Sequence, residues 1–214
     1  MATSLGISRI GLFHGVDTLG KAARTTVDQE LAAKGYAPAT RAVFHAAINI
    51  GDAAEHMAAK QPQAVILAAP TLASAQFVRE LRARLPGTQF FALSSVNHQT
   101  MLEFLGPQAA QGVAVTALTP SPYNPVTPVA REYVKHLKQF RDEAVSYASI
   151  DGYISARVLV EGLKSAHNGN YLAAFAGLPQ IDVGGHVVNL HPKTGATAGF
   201  VDVLVFSQQG RLVN

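Results

Sequence analysis

The sequence predicts an α/β fold: a doubly wound, parallel, Rossmann-like sheet, with additional helices and a C-terminal hairpin or strand after it. Three observations carry this. Short apolar runs alternate with amphipathic stretches of helical period from Ile7 to Leu118. The clearest run, Gln63 to Ala69 (QAVILAA), is continuously apolar, as befits a parallel strand covered on both faces. Each run also ends in a loop that leads into a helix. An order of β-α-β-α-β-α-β-α-β implies right-handed crossovers with helices on both faces of the sheet.

The chain opens its pattern at Arg9 to Gly35. Ile10-Gly11-Leu12-Phe13 reads as a buried strand, His14 to Gly20 as a polar loop, and Ala22, Ala23, Val27, Leu31 and Ala32 as one helix face closed by Gly35. Thr40 to Phe44 is a second strand, and Asp52 to Lys60 a helix with Ala53, Met57 and Ala58 inward. After the third strand, Pro70-Thr71 leads into a helix over Leu72 to Leu85, stopped by Pro86-Gly87. Gln89 to Leu93 is a fourth strand with Ser94-Ser95-Val96-Asn97 at its mouth. Gln99 to Leu105 is a short helix, and Gly112 to Leu118 a fifth strand.

At Thr119 the character changes. TPSPYNPVTP holds four prolines in ten residues, a semi-rigid connection and a domain boundary. Helices are expected over Val129 to Phe140, Ile150 to His167 (stopped by Gly169) and Tyr171 to Ala176. A β-like tail follows: Val183 to Leu190, a turn at Lys193 to Gly195, Phe200 to Phe206, and a closing turn at Gln208 to Arg211.

Composition bounds the function. The chain has 214 residues, 48% hydrophobic and 14% charged, enough for one large or two small domains with a core. Net charge is +3, and Arg79, Arg82 and Arg84 and also Lys135 and Lys138 read as solvated helix faces. No basic stripe with interleaved aromatics suggests nucleic-acid binding. With no cysteine, disulfides and thiolate chemistry are excluded, and eight histidines form no H-x-x-x-H pair, so neither metal nor cofactor is expected. No apolar run is long enough to span a membrane, and MATSLGISRIG does not read as a signal peptide.

Four stretches carry a resemblance. Ile10 to Lys34, LGPQAAQGVAVT at Leu105 to Thr116, IDGYISA at Ile150 to Ala156 and the closing strand at Gly199 to Arg211 are together similar to the type 1 periplasmic solute-binding proteins, branched-chain amino acid (Leu/Ile/Val) class. The resemblance implies a solute-binding component of an ABC transporter, working in the periplasm by cleft closure and presented to a permease, with no catalysis. It further implies that residues 7–118 and 199–214 form the second lobe and residues 119–198 a helical segment and hairpin from the first lobe, whose opening strands are lacking. Apolar stripes such as Ile154, Val158 and Leu159 would then lose their sheet. A homodimer or domain swap is expected to cover them, and ligand binding is expected to be weak or absent.

By the same resemblance, the ligand lies against loops at the carboxyl ends of the strands. The first loop offers Asp17 and Leu19, where Asp17 or Thr18 can equally be a plain N-cap, with capping favoured for Thr18. Leu19 stands where family members often carry an aromatic. The second loop offers Pro70 and Thr71, with Thr71 read first as an N-cap. The third offers Ser94 and Ser95, where amino-acid binders often place an acid that holds the ligand's ammonium. A hydrolase using Ser94 or Ser95 with His98 is the rival reading, although G-x-S-x-G is absent. A nucleotide-binding domain lacks its G-x-G-x-x-G, and a sensor of the same fold stays open.

Overall fold

The structure, a computed structural model, describes residues 6–45, 47–140, 143–166, 170–178, 180–190 and 200–213. The elements in chain order are β1 (Ile10–Gly15), α1 (Thr18–Ala33), β2 (Thr40–Phe44), α2 (Ile50–Ala58), β3 (Ala64–Ala68), α3 (Thr71–Arg84), β4 (Gln89–Ala92), α4 (His98–Ala110), β5 (Val113–Ala117), α5 (Pro128–Phe140), α6 (Tyr147–Lys164), α7 (Tyr171–Ala176), β6 (Gln180–Asp182), β7 (Val187–Asn189), β8 (Asp202–Phe206) and β9 (Leu212–Val213). They fall into two units, residues 1–116 with 203–214, and residues 117–202.

The first unit is built on a mostly parallel seven-stranded sheet in the order β2-β1-β3-β4-β5-β8-β9. Strand alternation sorts side chains between the two faces. Leu12, Ile66 and Ala68 meet Ala23, Val27 and Leu31 of α1 on one face. Phe13, Val65, Leu67 and Phe90 meet Met57, Phe77, Val78, Leu81 and Met101 on the other. Phe13 and Phe77 stack with centroids 4.1 Å apart. Ala22 and Ala32, assigned to the inner face of α1 by periodicity, are exposed. Gly35 closes that helix at φ +72°, letting Tyr36 N–H return to Leu31 O at 2.9 Å.

Several element boundaries differ from expectation for local reasons. α4 does not end at Leu105: the chain breaks helical geometry at Gly106 (φ +72°), and a further turn runs from Pro107 to Ala110. Arg82 is not on a solvated face. Its Nη1 donates to Ala109 O at 3.0 Å and Gln111 O at 2.7 Å, satisfying carbonyls at the end of α4, and its guanidinium lies over the Phe90 ring. β9 was not anticipated. It pairs antiparallel with β8 across the turn at Gly210.

The second unit packs α5 and α6 against a small antiparallel hairpin, β6-β7, around Val129, Ala130, Tyr133, Ile150, Ile154, Ile181 and Val183. Pro128 begins α5, a position where its missing N–H costs nothing. α6 starts three residues before the expected Ile150, because Ser146 caps it by accepting from Ser149 N–H at 3.1 Å. The predicted strand Val183 to Leu190 is instead the turn of the hairpin followed by β7, with Gly184 and Gly185 both at positive φ. Ile154 and Val158 do not stand uncovered but pack in this unit's own core, whereas Leu159 (51%) and Leu163 (41%) are exposed. His167, Gly169, the turn at Lys193 to Gly195, and Gly199 lie outside the described residues.

Candidate functional site

β1 lies between β2 and β3, so the connection leaving β1 runs toward β2 while the one leaving β3 runs toward β4, and the two diverge. In register, His14 stands opposite Val43 on one side and Ala68 on the other. Such a switch point opens a crevice outside the carboxyl ends of the strands. The three sequence-predicted loops lie along this edge of the first unit.

The loop after β1 is tightly made. A Cβ on Gly20 would sit 2.2 Å from Gly15 O, so only glycine lets the first turn of α1 approach the strand end. Of the two candidate caps, Asp17 and Thr18, the N-cap is Asp17, accepting from Gly20 N–H at 2.7 Å. Its backbone is extended while that of Thr18 is already helical, which decides between the two. Leu19 (51%) and Val16 (50%) are exposed beside it.

In the loop after β3, Pro70 occupies the N-cap position of α3 and provides no side-chain cap. Thr71 is the first helical residue, and its role as a cap is corrected. Its Oγ1 accepts from Asn97 N–H at 3.0 Å, tying the β3 loop to the β4 loop. Leu72 is exposed (56%). Ser94 and Ser95 are exposed in the turn after β4, closed by Val96 N–H donating to Leu93 O. Asn97 caps α4 by accepting from Thr100 N–H at 3.0 Å. The structure thus joins Pro70 and Thr71 with Ser94 and Ser95 through one hydrogen bond, and places Asp17 and Leu19 on the adjacent strand's loop.

Two features of this edge escaped sequence reasoning. His14 is buried on the face of β1 shared with Leu12, its Nδ1–H donating to Gly15 O at 2.8 Å. Its Nε2 is buried without a hydrogen-bond partner. An unmade hydrogen bond of this kind costs about 1–3 kcal/mol. Asn97 carries a double role, backbone donor and side-chain cap, that only its position between two loops reveals. His98, the first residue of α4, is partly buried, and burial holds its imidazole below the ordinary value.

A separate groove of about 490 Å³ lies where β2 ends, lined by Arg41, His45, Ile48, Asn49, Asp52 and His56 among others. Arg41 is engaged by Asp28 at 2.8 Å. Among the described residues no cluster of three or more histidine or acidic side chains is disposed to hold a metal ion, and no helix is long and apolar enough to cross a membrane. The predicted edge offers hydroxyls, backbone turns and exposed aliphatic side chains.

The family profile described as periplasmic binding protein matches residues 1–197. No curated protein matches the chain. Among solved structures, the chain is similar to a substrate-binding periplasmic protein from Ralstonia solanacearum (28% identity, TM-score 0.85, 99% of this chain and 62% of that one). It also shares its fold with a possible leucine/isoleucine/valine-binding protein from Rhodopirellula baltica (21%, 0.85, 100% and 61%). A leucine binding protein from Thermotoga maritima gives 16%, 0.84, 99% and 61%. The chain spans about three-fifths of the length of these structures.

Proposed function

Because the chain belongs to the periplasmic binding protein family, we propose that it is the solute-binding part of an ABC transporter receptor, without catalysis of its own. The first unit is the second lobe of such a receptor. The segment 119–198 belongs to the first lobe. A small polar or amino-acid-like molecule settles on the edge formed by Asp17, Leu19, Pro70, Thr71, Ser94 and Ser95. Closure of a companion lobe over it produces the form that a permease in the periplasm reads. A ligand drives that closure only as far as it binds the closed form better than the open one.

The observation that supports this most is the tie between Thr71 and Asn97, which sets the hydroxyl-bearing loops after β3 and β4 side by side next to the switch point between β1 and β3. The first unit alone offers one wall of a site, so affinity is expected to be weak, with dissociation constants in the millimolar range. Amide chemical-shift titration of the whole chain with L-leucine and related small molecules tests the assignment. Shifts confined to residues 16–20, 70–72 and 94–97 support it. Submicromolar leucine binding by calorimetry contradicts the weak-binding expectation.

The exposed apolar residues of α6 give a second copy of the chain something to cover, and we include a homodimer or domain swap in the proposal. Light scattering that finds a monomer at every concentration overturns that part.

A further inference from the structure

Helix α6 carries one outward stripe with no charged side chain on it. Ala148, Gly152, Ser155, Ala156, Leu159 and Leu163 follow one another by three- and four-residue steps, with Ser155 and Ala156 side by side, so they share one helix face. All six are exposed. The nearest charges, Asp151 and Lys164, stand at its flanks, and Lys164 Nζ is engaged by Glu161 Oε1 at 2.8 Å. Small residues fill the N-terminal part of the stripe and leucines the C-terminal part. Gly152 is the telling position. Glycine is a poor residue for a helix interior, and a Cβ here would meet nothing within 4 Å in its own chain. Gly162 of the same helix is different, since a Cβ on it would run into the Phe175 ring. Nothing within the chain calls for glycine at 152, whereas a surface approaching from outside does.

The stripe is complementary to itself. Its spacing is the same read from either end, while its side chains run from small to large. A second α6 laid antiparallel therefore sets Ala148 against the partner's Leu163 and Gly152 against the partner's Leu159, with Ser155 and Ala156 at the two-fold axis. Each leucine enters the gap that a small residue leaves. A parallel second helix would oppose leucine to leucine at one end and leave a void at the other. Resting on the reading that a second copy covers α6, we propose that the cover is that copy's own α6, crossing antiparallel through this stripe about Ser155 and Ala156. The stripe is about 22 Å long at about 1.5 Å per residue. One helix pair of that length is a small interface, so the dimer forms at high concentration and parts on dilution.

The chain has no cysteine, so one introduced thiol is the only one present. Ala156→Cys sits at the axis and should give a disulfide-linked dimer under mild oxidation of concentrated protein. Ala148→Cys and Leu163→Cys should each stay unlinked alone, because either thiol lies about 22 Å from its own copy, and should link to one another when the two proteins are mixed. Gly152→Leu places a good helix former in open space, so it should weaken dimerisation at least tenfold in sedimentation equilibrium while the circular dichroism of the monomer stays the same. Ready self-linking of Ala148→Cys or Leu163→Cys, or a dimer indifferent to Gly152→Leu, overturns the antiparallel pairing and leaves the homodimer reading standing. A wild-type chain that sediments as a monomer at every concentration overturns both and assigns the stripe to a surface of another sequence.

Discussion

The two units solve the same packing problem in opposite ways. In the first, each buried strand is covered on both faces, and the largest side chains, Phe13, Phe77 and Phe90, are wholly enclosed. In the second, two helices share one core with a two-stranded hairpin, and the far side of α6 is left bearing Leu159, Val160 and Leu163. The second unit also carries polar contacts between its helices. Tyr133 Oη accepts from Ser146 N–H, His136 meets Tyr153 Oη at 3.1 Å, and Arg157 pairs with Glu132. A helix apolar on more than one face is ordinarily buried. The difference teaches that the sheet unit buries its large apolar side chains on both faces, while α6, among the described residues, keeps an exposed apolar face.

The sharpest way to break this contrast is Phe77→Ala. Removing the ring that stacks on Phe13 is expected to lower stability by about 3–5 kcal/mol in urea unfolding. A loss below 1 kcal/mol would mean that the sheet core is loosely packed. Ile150→Ala is the counterpart in the second unit, with about 2–5 kcal/mol expected. Five of the six tyrosines lie in residues 117–202, so tyrosine fluorescence should report this loss while hydrogen exchange at β1 and β3 stays slow. If both probes change together, the units do not unfold separately.

Gly20→Ala should cost about 1–3 kcal/mol, since its Cβ meets Gly15 O. Its amide shifts should cluster in residues 15–21. A smaller change should come from pH. Burial holds the His186 imidazole below its ordinary value, against the opposing pull of Asp151 and Asp182. The unfolded chain then binds the extra proton, so stability is full above about pH 6.5 and declines as pH falls below it. His186→Gln should flatten the decline in urea midpoints measured between pH 8 and 5. The smallest effect is expected for Leu159→Ser, within about 0.5 kcal/mol for an exposed site. A large loss that scales with protein concentration would show the face covered by another copy.

The fold was largely legible because its signals are local. Strand runs such as Gln63 to Ala69 and helix stripes such as Ala53 and Met57 need only periodicity to be read. The six residues named from the sequence lie on the carboxyl edge or the helix starts that frame it, but the cap role read for one of them, Thr71, does not hold, and the cap left open between Asp17 and Thr18 falls to Asp17. Thr18 and Thr71 both suit an N-cap by type. Backbone geometry gave the first role to Asp17, and a partner 26 residues away gave Thr71 a different one.

By itself, then, the sequence determined the alternation of strands and helices, the parallel sheet, the break at the proline-rich segment and the loops along the carboxyl edge. Each follows from side-chain polarity and backbone freedom within a few residues. Only the tertiary structure decided that Arg82 closes the end of α4, that Gly184 and Gly185 turn the β6-β7 hairpin, that His14 lies buried with its Nε2 unpartnered, and that α6 keeps an exposed apolar face. Hydrogen-bond partners and burial depend on groups distant in the chain. No local pattern carries that information, and the same residue types could have met different neighbours.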